Sequence, residues 1–255
     1  DVVTYEFENV PARTAEIISE HTILRPGANA LATSQDRLVE KDFLSNTGIA
    51  VAPYMAFNDK AGLKAALKII GLPAVAKTRR FGYDGKGQLM LHSRADVAEA
   101  MEVMNGAEAI LEGFVPFTKE VSVIIARAVD GSLEVFPMAE NVHTNHILDT
   151  STVPAAVKEN VRAAARVMAG KIITALDYIG VLTIEMFVVE ETGEVIVNEI
   201  APRVHNSGHW SIEGAKTSQF AQHIRAICGM ELGSTDIHGL SIMKNLLGEE
   251  ILDTK

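Results

Sequence analysis

Two apolar, β-branched runs, residues 181–189 and 195–200, flank the polar stretch Glu190-Glu191-Thr192-Gly193-Glu194. That pattern predicts two antiparallel strands joined by a tight turn. Pairing Val189 with Val195 puts Glu185 directly opposite Glu199. Like charges opposed across a strand pair are destabilising, so the pattern points to a cation between the two carboxylates. Mg2+ suits such a place, because it is held by one or two carboxylates while substrate phosphates complete its shell. The competing reading is a solvated Glu at a sheet edge, or a register shifted by one residue. In an ideal strand Asn198 points to the other face and joins the metal side only through a bulge.

Just beyond this hairpin runs Arg203-Val204-His205-Asn206-Ser207-Gly208-His209-Trp210. Arg203 can hold an anion bidentately. His205, Asn206 and Ser207 offer donors to a phosphate or a sugar. The plain alternative is a polar loop that satisfies its own backbone. A second cluster is Lys77-Thr78-Arg79-Arg80-Phe81-Gly82-Tyr83-Asp84-Gly85-Lys86-Gly87-Gln88. Glycines let a backbone approach a phosphate and aim N–H groups at it, and the basic residues add charge-assisted contacts. A hairpin with an Asp-Gly turn fits the same residues. A third segment, Glu112-Gly113-Phe114-Val115, leads to Glu120. A strand end there presents backbone groups to an adenine edge, and Glu120 can accept from ribose hydroxyls; a plain connection fits equally. His143 and His146 have no Cys partner nearby, which disfavours zinc.

Alternating strand and helix patterns run through all 255 residues and predict an α/β chain. Helices are expected over 11–20, over 34–46 with Ser34 as N-cap, and over 59–70, 95–104, 154–176 and 218–228. Strands are expected over 74–77, 88–91, 109–112, 120–129 and 133–138. The apolar but Pro-containing segment 113–119 reads as a linker between two lobes, and a cleft between lobes is a favoured ligand site. A net charge of −10 argues against a nucleic-acid partner. Cys228 stands alone, so no disulfide framework or cysteine metal cluster is expected, and one thiol fits a reducing, cytoplasmic setting. No apolar run is long enough for a membrane span. The abrupt start at Asp1 and the end at Lys255 suggest a segment of a longer chain.

Tyr5-Glu6-Phe7-Glu8-Asn9-Val10-Pro11, Gly82 to Gln88 and Asn198 to Trp210 closely resemble the 5-(carboxyamino)imidazole ribonucleotide synthases. That family of the ATP-grasp superfamily carries out an ATP-dependent carboxylation in purine biosynthesis. The resemblance runs over essentially the whole chain. It implies an ATP-grasp fold of α+β type, with two α/β lobes clasping ATP. Residues 1–28 would be the end of a preceding domain, 29–113 the small lobe, 114–238 the large lobe and 239–255 the start of a further domain. Arg37 and Lys77 would reach the ATP phosphates, under a loop of Gly82, Tyr83, Asp84, Gly85, Lys86, Gly87 and Gln88. Glu112, Gly113, Phe114 and Val115 would bind adenine, Glu120 the ribose, and His143 and Asn198 the nucleotide. Glu185 and Glu199 would hold Mg2+. Arg203, Lys77 and Lys86 would be catalytic, with Arg203 on bicarbonate. Tyr83, Lys86, His205, Asn206 and Ser207 would face the aminoimidazole ribonucleotide. A homodimer is implied. The alternatives are a sister enzyme that joins formate to glycinamide ribonucleotide, and a nucleotide-binding module without catalysis.

Overall fold

The computed structural model describes residues 1–82 and 85–252. Tyr83 and Asp84 lie outside these described residues. The chain begins with β1 (Val2–Val3), α1 (Ala12–His21) and β2 (Ile23–Leu24), and β1 pairs with β2 in parallel. Next come α2 (Ala28–Ser34) and α3 (Arg37–Asn46). One helix capped by Ser34 is expected here, and the structure corrects this. The Ser34 hydroxyl donates back to the Leu31 carbonyl at 3.1 Å and ends α2. Asp36 caps α3 instead, accepting from the N–H groups of Leu38 and Val39 at 3.0 and 3.5 Å.

The smaller sheet follows: β3 (Tyr54–Phe57), α4 (Lys60–Ile70), β4 (Ala74–Thr78), β5 (Gln88–Leu91), α5 (Val97–Met104) and β6 (Ala109–Gly113). Its strands run antiparallel in the order β3-β6-β4-β5. Both helices cover one face: Leu63, Leu67, Val97 and Met104 pack on Ala74, Ala76, Leu91 and Leu111.

The larger sheet is built from β7 (Lys119–Arg127), β8 (Leu133–Val135), β9 (Ala139–Thr144), β10 (Ile147–Val153), β11 (Gly180–Val189), β12 (Glu194–Ala201) and β13 (Ser241–Lys244). Its order is β12-β11-β7-β9-β10-β13, with β8 also on β7. Between β10 and β11 lies α6 (Glu159–Ala175), and after β12 come α7 (Ser211–Gly214) and α8 (Gln219–Ile227). The long helix starts at Glu159, not at 154 as expected. β7 is buried on both faces. Val121, Val123 and Ile125 meet the α6 side, and Ile124 and Ala126 meet the side of Trp210 and Ala215. This double burial explains its unbroken apolar run. β9 and β10 are not foreseen in the sequence, where Asn141, His143, Asn145 and His146 break the apolar pattern of a strand. Asn145 and His146 take left-handed φ values of 52° and 66° and turn the chain between them.

Two expected boundaries also shift. Ala30, Leu44 and Ile49, expected in the small lobe, sit in the core of the large sheet. β13, placed by expectation in a further domain, pairs with β10 and completes the large sheet.

Candidate nucleotide and metal site

The β11–β12 hairpin places Glu185 opposite Glu199. The route to that register differs from the sequence expectation. Val189 pairs with Glu194, not Val195, so the turn is one residue tighter. A bulge between the pairs Glu185–Glu199 and Met186–Val197 then restores the alignment. Asn198 is the extra residue of that bulge. It lines one small cleft together with Glu120, Asn141, His143, Glu185 and Phe187. Its Oδ1 is buried and has no hydrogen-bond partner.

β12 is an edge strand of the large sheet, and α3 lies against it. Arg37, Glu40, Lys41 and Leu44 fall on one stripe of this helix. Arg37 Nη1 donates to Glu199 Oε2 at 2.8 Å. Burial works to raise the Glu199 carboxyl, but Arg37 overrides it and holds the group well below the usual range. Glu185 moves the other way, raised by burial and by the Glu199 charge beside it. Lys77, on β4, donates to Glu112 Oε2 at 3.0 Å, and burial lowers its pKa. Glu112 stays ionised, because Lys77, Lys41 and Arg37 outweigh the cost of burial. Arg79 instead pairs bidentately with Asp36 at 2.9 and 2.6 Å, and Arg80 donates to Gln35. These two basic residues of the glycine cluster are therefore turned to the α2–α3 junction.

His205 Nδ1 accepts from the Ser207 N–H at 3.3 Å, which leaves the ring proton on Nε2. Nε2 lies 3.3 Å from Glu185 Oε1. Burial and the neighbouring Arg203 charge push the His205 pKa down to about 3, so the imidazole is neutral. Ser207, expected to face substrate, is fully buried. Its hydroxyl bonds Ser122 Oγ at 2.8 Å and His205 Nδ1 at 2.9 Å, so it orients His205 from behind. Asn206 Oδ1 is buried without a partner. His143 Nδ1 lies 3.1 Å from Glu120 Oε2, and that carboxylate raises the His143 pKa.

Arg203 grips Glu8 through Nε and Nη2 at 3.1 and 3.2 Å. Glu8 is a site residue that sequence reasoning missed, although it stands within the quoted Tyr5–Pro11 motif. In the linker, the Gly113 and Phe114 N–H groups are taken by the Pro53 and Pro73 carbonyls. They are unavailable to an adenine, and the Glu112 side chain faces the cations. Val115 is buried and its carbonyl accepts from the Phe117 N–H. The glycine loop lies beside these groups. A Cβ added at Gly82 would sit 4.0 Å from Arg37 Nη2, and one at Gly85 would sit 2.6 Å from the His146 ring. Gly85 also needs its φ of 77°. Lys86 and Gly87 complete the turn into Gln88, the first residue of β5. Among the described residues, no group of three or more His, Cys, Asp or Glu is arranged to hold a metal. A cation here would share two carboxylates and take its other ligands elsewhere.

The model of the ATP-grasp domain matches residues 42–220. An N5-carboxyaminoimidazole ribonucleotide synthase of Brucella melitensis is 50% identical over 253 residues, covering 98% of this chain and 70% of that protein. The chain belongs to the ATP-grasp family, in its N5-carboxyaminoimidazole ribonucleotide synthase branch. Solved ATP-grasp structures agree in fold. The ADP complex of one such synthetase superposes with a TM-score of 0.96 at 46% identity, covering 99% of this chain and 67% of that one. The Aspergillus clavatus synthase, solved with ADP and 5-aminoimidazole ribonucleotide, gives 0.91 at 31% identity, covering 97% of this chain and 65% of that one. The chain thus spans about two thirds of the length of these ATP-grasp relatives. Among its described residues no helix is long and apolar enough to cross a membrane.

Proposed function

We propose that this chain holds the nucleotide centre of an ATP-dependent carbon–nitrogen ligase, which carboxylates 5-aminoimidazole ribonucleotide with bicarbonate. The observation that carries the reading is the opposed pair Glu185–Glu199, ringed by Arg37 and Lys77 and joined by the unpartnered Asn198 Oδ1. Relatives solved with ADP, and with ADP and the ribonucleotide, support it. The donor set fits Mg2+: two facing, half-buried carboxylates and a spare amide oxygen, with phosphate oxygens to complete the shell. When bound, Mg2+ would neutralise charge developing on the transferred phosphoryl group.

Bicarbonate oxygen attacks the γ-phosphorus of ATP. A new O–P bond forms, the bond to the β-bridging oxygen breaks, and ADP leaves with that electron pair. Arg37 and Lys77, now paired with Glu199 and Glu112, would neutralise phosphate charge. Arg203, whose Nε and Nη2 hold Glu8 and whose Nη1 donates to the Val204 carbonyl, would bind the bicarbonate-derived carboxylate with its remaining N–H groups. The ribonucleotide's exocyclic amine then attacks the carboxyl carbon, expelling phosphate and losing a proton. Carboxyphosphate, the product of that first attack, hydrolyses readily, so the loop that carries Gly82, Gly85 and Gly87 would have the task of excluding water. Glu120 and His143, 3.1 Å apart in the same cleft, would contact the ribose and the nucleotide respectively.

The test is ADP release with Mg–ATP and bicarbonate, with and without the ribonucleotide. Strong stimulation by aminoimidazole ribonucleotide is expected, and stimulation by glycinamide ribonucleotide with formate would favour the sister reaction. Glu199→Ala should lower turnover by at least about a hundredfold, the scale of losing a charge-stabilising group, with an unchanged circular dichroism spectrum. Normal turnover in that variant would remove the metal assignment.

A further inference from the structure

Lys41 and Glu40 stand apart from every residue given a task so far. Lys41 is fully buried, and Glu40 is almost so. Buried charges are costly unless paired and hydrogen-bonded, and neither side chain can touch a ligand. Their partners lie on the bulge. Lys41 Nζ donates to the carbonyl of Asn198 at 2.7 Å, and Glu40 Oε1 accepts from the N–H of Ile200 at 2.6 Å. The side chains thus take backbone groups on either side of Glu199, while Arg37, one turn earlier, takes its carboxylate. The Val197 N–H, on the other flank of the bulge, goes to the Ala50 carbonyl. An edge strand normally leaves such groups to solvent. Here α3 and residue 50 occupy them one by one.

Lys41 has a second partner: its Nζ lies 3.4 Å from Glu112 Oε2, the oxygen that Lys77 also binds at 3.0 Å. Lys77 and Arg37 keep some exposure, whereas Lys41 has none. A phosphate can therefore draw Lys77 away, and Glu112 would be left as an unpaired buried charge if Lys41 were absent.

We infer that Glu40 and Lys41 are positioning residues: they lock the β12 bulge that presents Asn198 and Glu199, and Lys41 remains as counter-ion to Glu112 when Lys77 turns to the phosphates. The inference rests on the nucleotide reading above. It assigns the lock to the protein before any ligand arrives, so the bulge is preformed.

Two measurements test it. Amide hydrogen exchange on the ligand-free wild-type protein reads the lock directly. The Ile200 amide should exchange about a hundredfold or more slower than an open chain; exchange at the open-chain rate overturns the inference. ADP affinity, with Mg2+ and with EDTA, is then compared between wild type, Lys41→Met and Lys41→Arg. In Lys41→Met the gain in affinity from Mg2+ should shrink about tenfold or more, affinity in EDTA should also fall because Glu112 then holds Lys77 back from the phosphates, and Lys41→Arg should recover part of both. A Lys41→Met protein that is folded and keeps the full gain overturns the inference. If Lys41→Met fails to fold, the exchange measurement decides alone. A wild-type protein that gains nothing from Mg2+ overturns the metal reading of Glu185 and Glu199 instead, and leaves the exchange result to decide the lock.

Discussion

Ser207 never reaches solvent, yet it lies in the segment whose polar side chains resemble a substrate site. Its hydroxyl joins Ser122 on β7 to His205, and His205 in turn faces Glu185. Removing it leaves two buried polar groups short of a partner, at a cost of about 1–3 kcal/mol. Ser207→Ala should therefore lower stability by that amount in urea titration. Ser122→Ala should do the same, and the double variant should cost less than the sum, because both changes remove one shared bond. Additive costs would mean that the two hydroxyls act independently. Gly208 shows the same crowding: a Cβ there would lie 2.4 Å from Gln219 Oε1 and from Ile124 Cδ1. Gln219 holds both the N–H and the carbonyl of His205. The motif Arg203 to Trp210 was visible in the sequence as unusual. Which members face a ligand and which face the interior was not, since that depends on β7 and α8, remote in sequence.

At the scale of elements, the β11–β12 hairpin was legible and its facing carboxylates were read correctly, through two slips that cancel. The tight turn moves the pairing by one residue and the bulge at Asn198 moves it back. Turn length is set locally, but this bulge is held by tertiary contacts with α3, which period-two alternation does not record. A usable signal was present in α3. Arg37, Glu40, Lys41 and Leu44 occupy the positions of a buried stripe, so charged residues on that stripe marked a functional helix rather than a solvated one. The start of α3 rests on Asp36, which caps two N–H groups and pairs with Arg79. Burial works to raise its pKa, yet Arg79 and the cap hold it below the ordinary value. Asp36→Ala should cost about 2 kcal/mol, a cap plus a charge-assisted bond. Asp36→Asn, which keeps an acceptor for the cap, should fall between that variant and wild type in denaturant midpoint. Equal losses would assign the whole effect to the Arg79 pair.

Across the whole molecule, the opening segment, the large sheet and α8 meet at His223. Its Nδ1 accepts from the Val181 N–H at 3.1 Å at the start of β11, and its Nε2 lies 2.8 Å from Thr4 Oγ1. The Nδ1 bond requires the neutral ring, which puts the proton on Nε2 to donate to Thr4 Oγ1. Burial lowers the His223 pKa to about 4 from 6.5. A depressed histidine favours the folded state when neutral, so its contribution is complete above pH 6.5. It is lost as pH falls from 6.5 towards 4, because the unfolded chain takes up the proton first. Between pH 6.5 and 5 the loss from this one residue is about 2 kcal/mol. Urea unfolding at pH 7 and pH 5 reads it, and His205, also depressed, adds to the wild-type slope. In His223→Asn, which offers the Val181 N–H an amide oxygen and cannot titrate, the difference between the two pH values should shrink by about that 2 kcal/mol. An undiminished difference would place the acid sensitivity elsewhere and leave His223 as a packing residue.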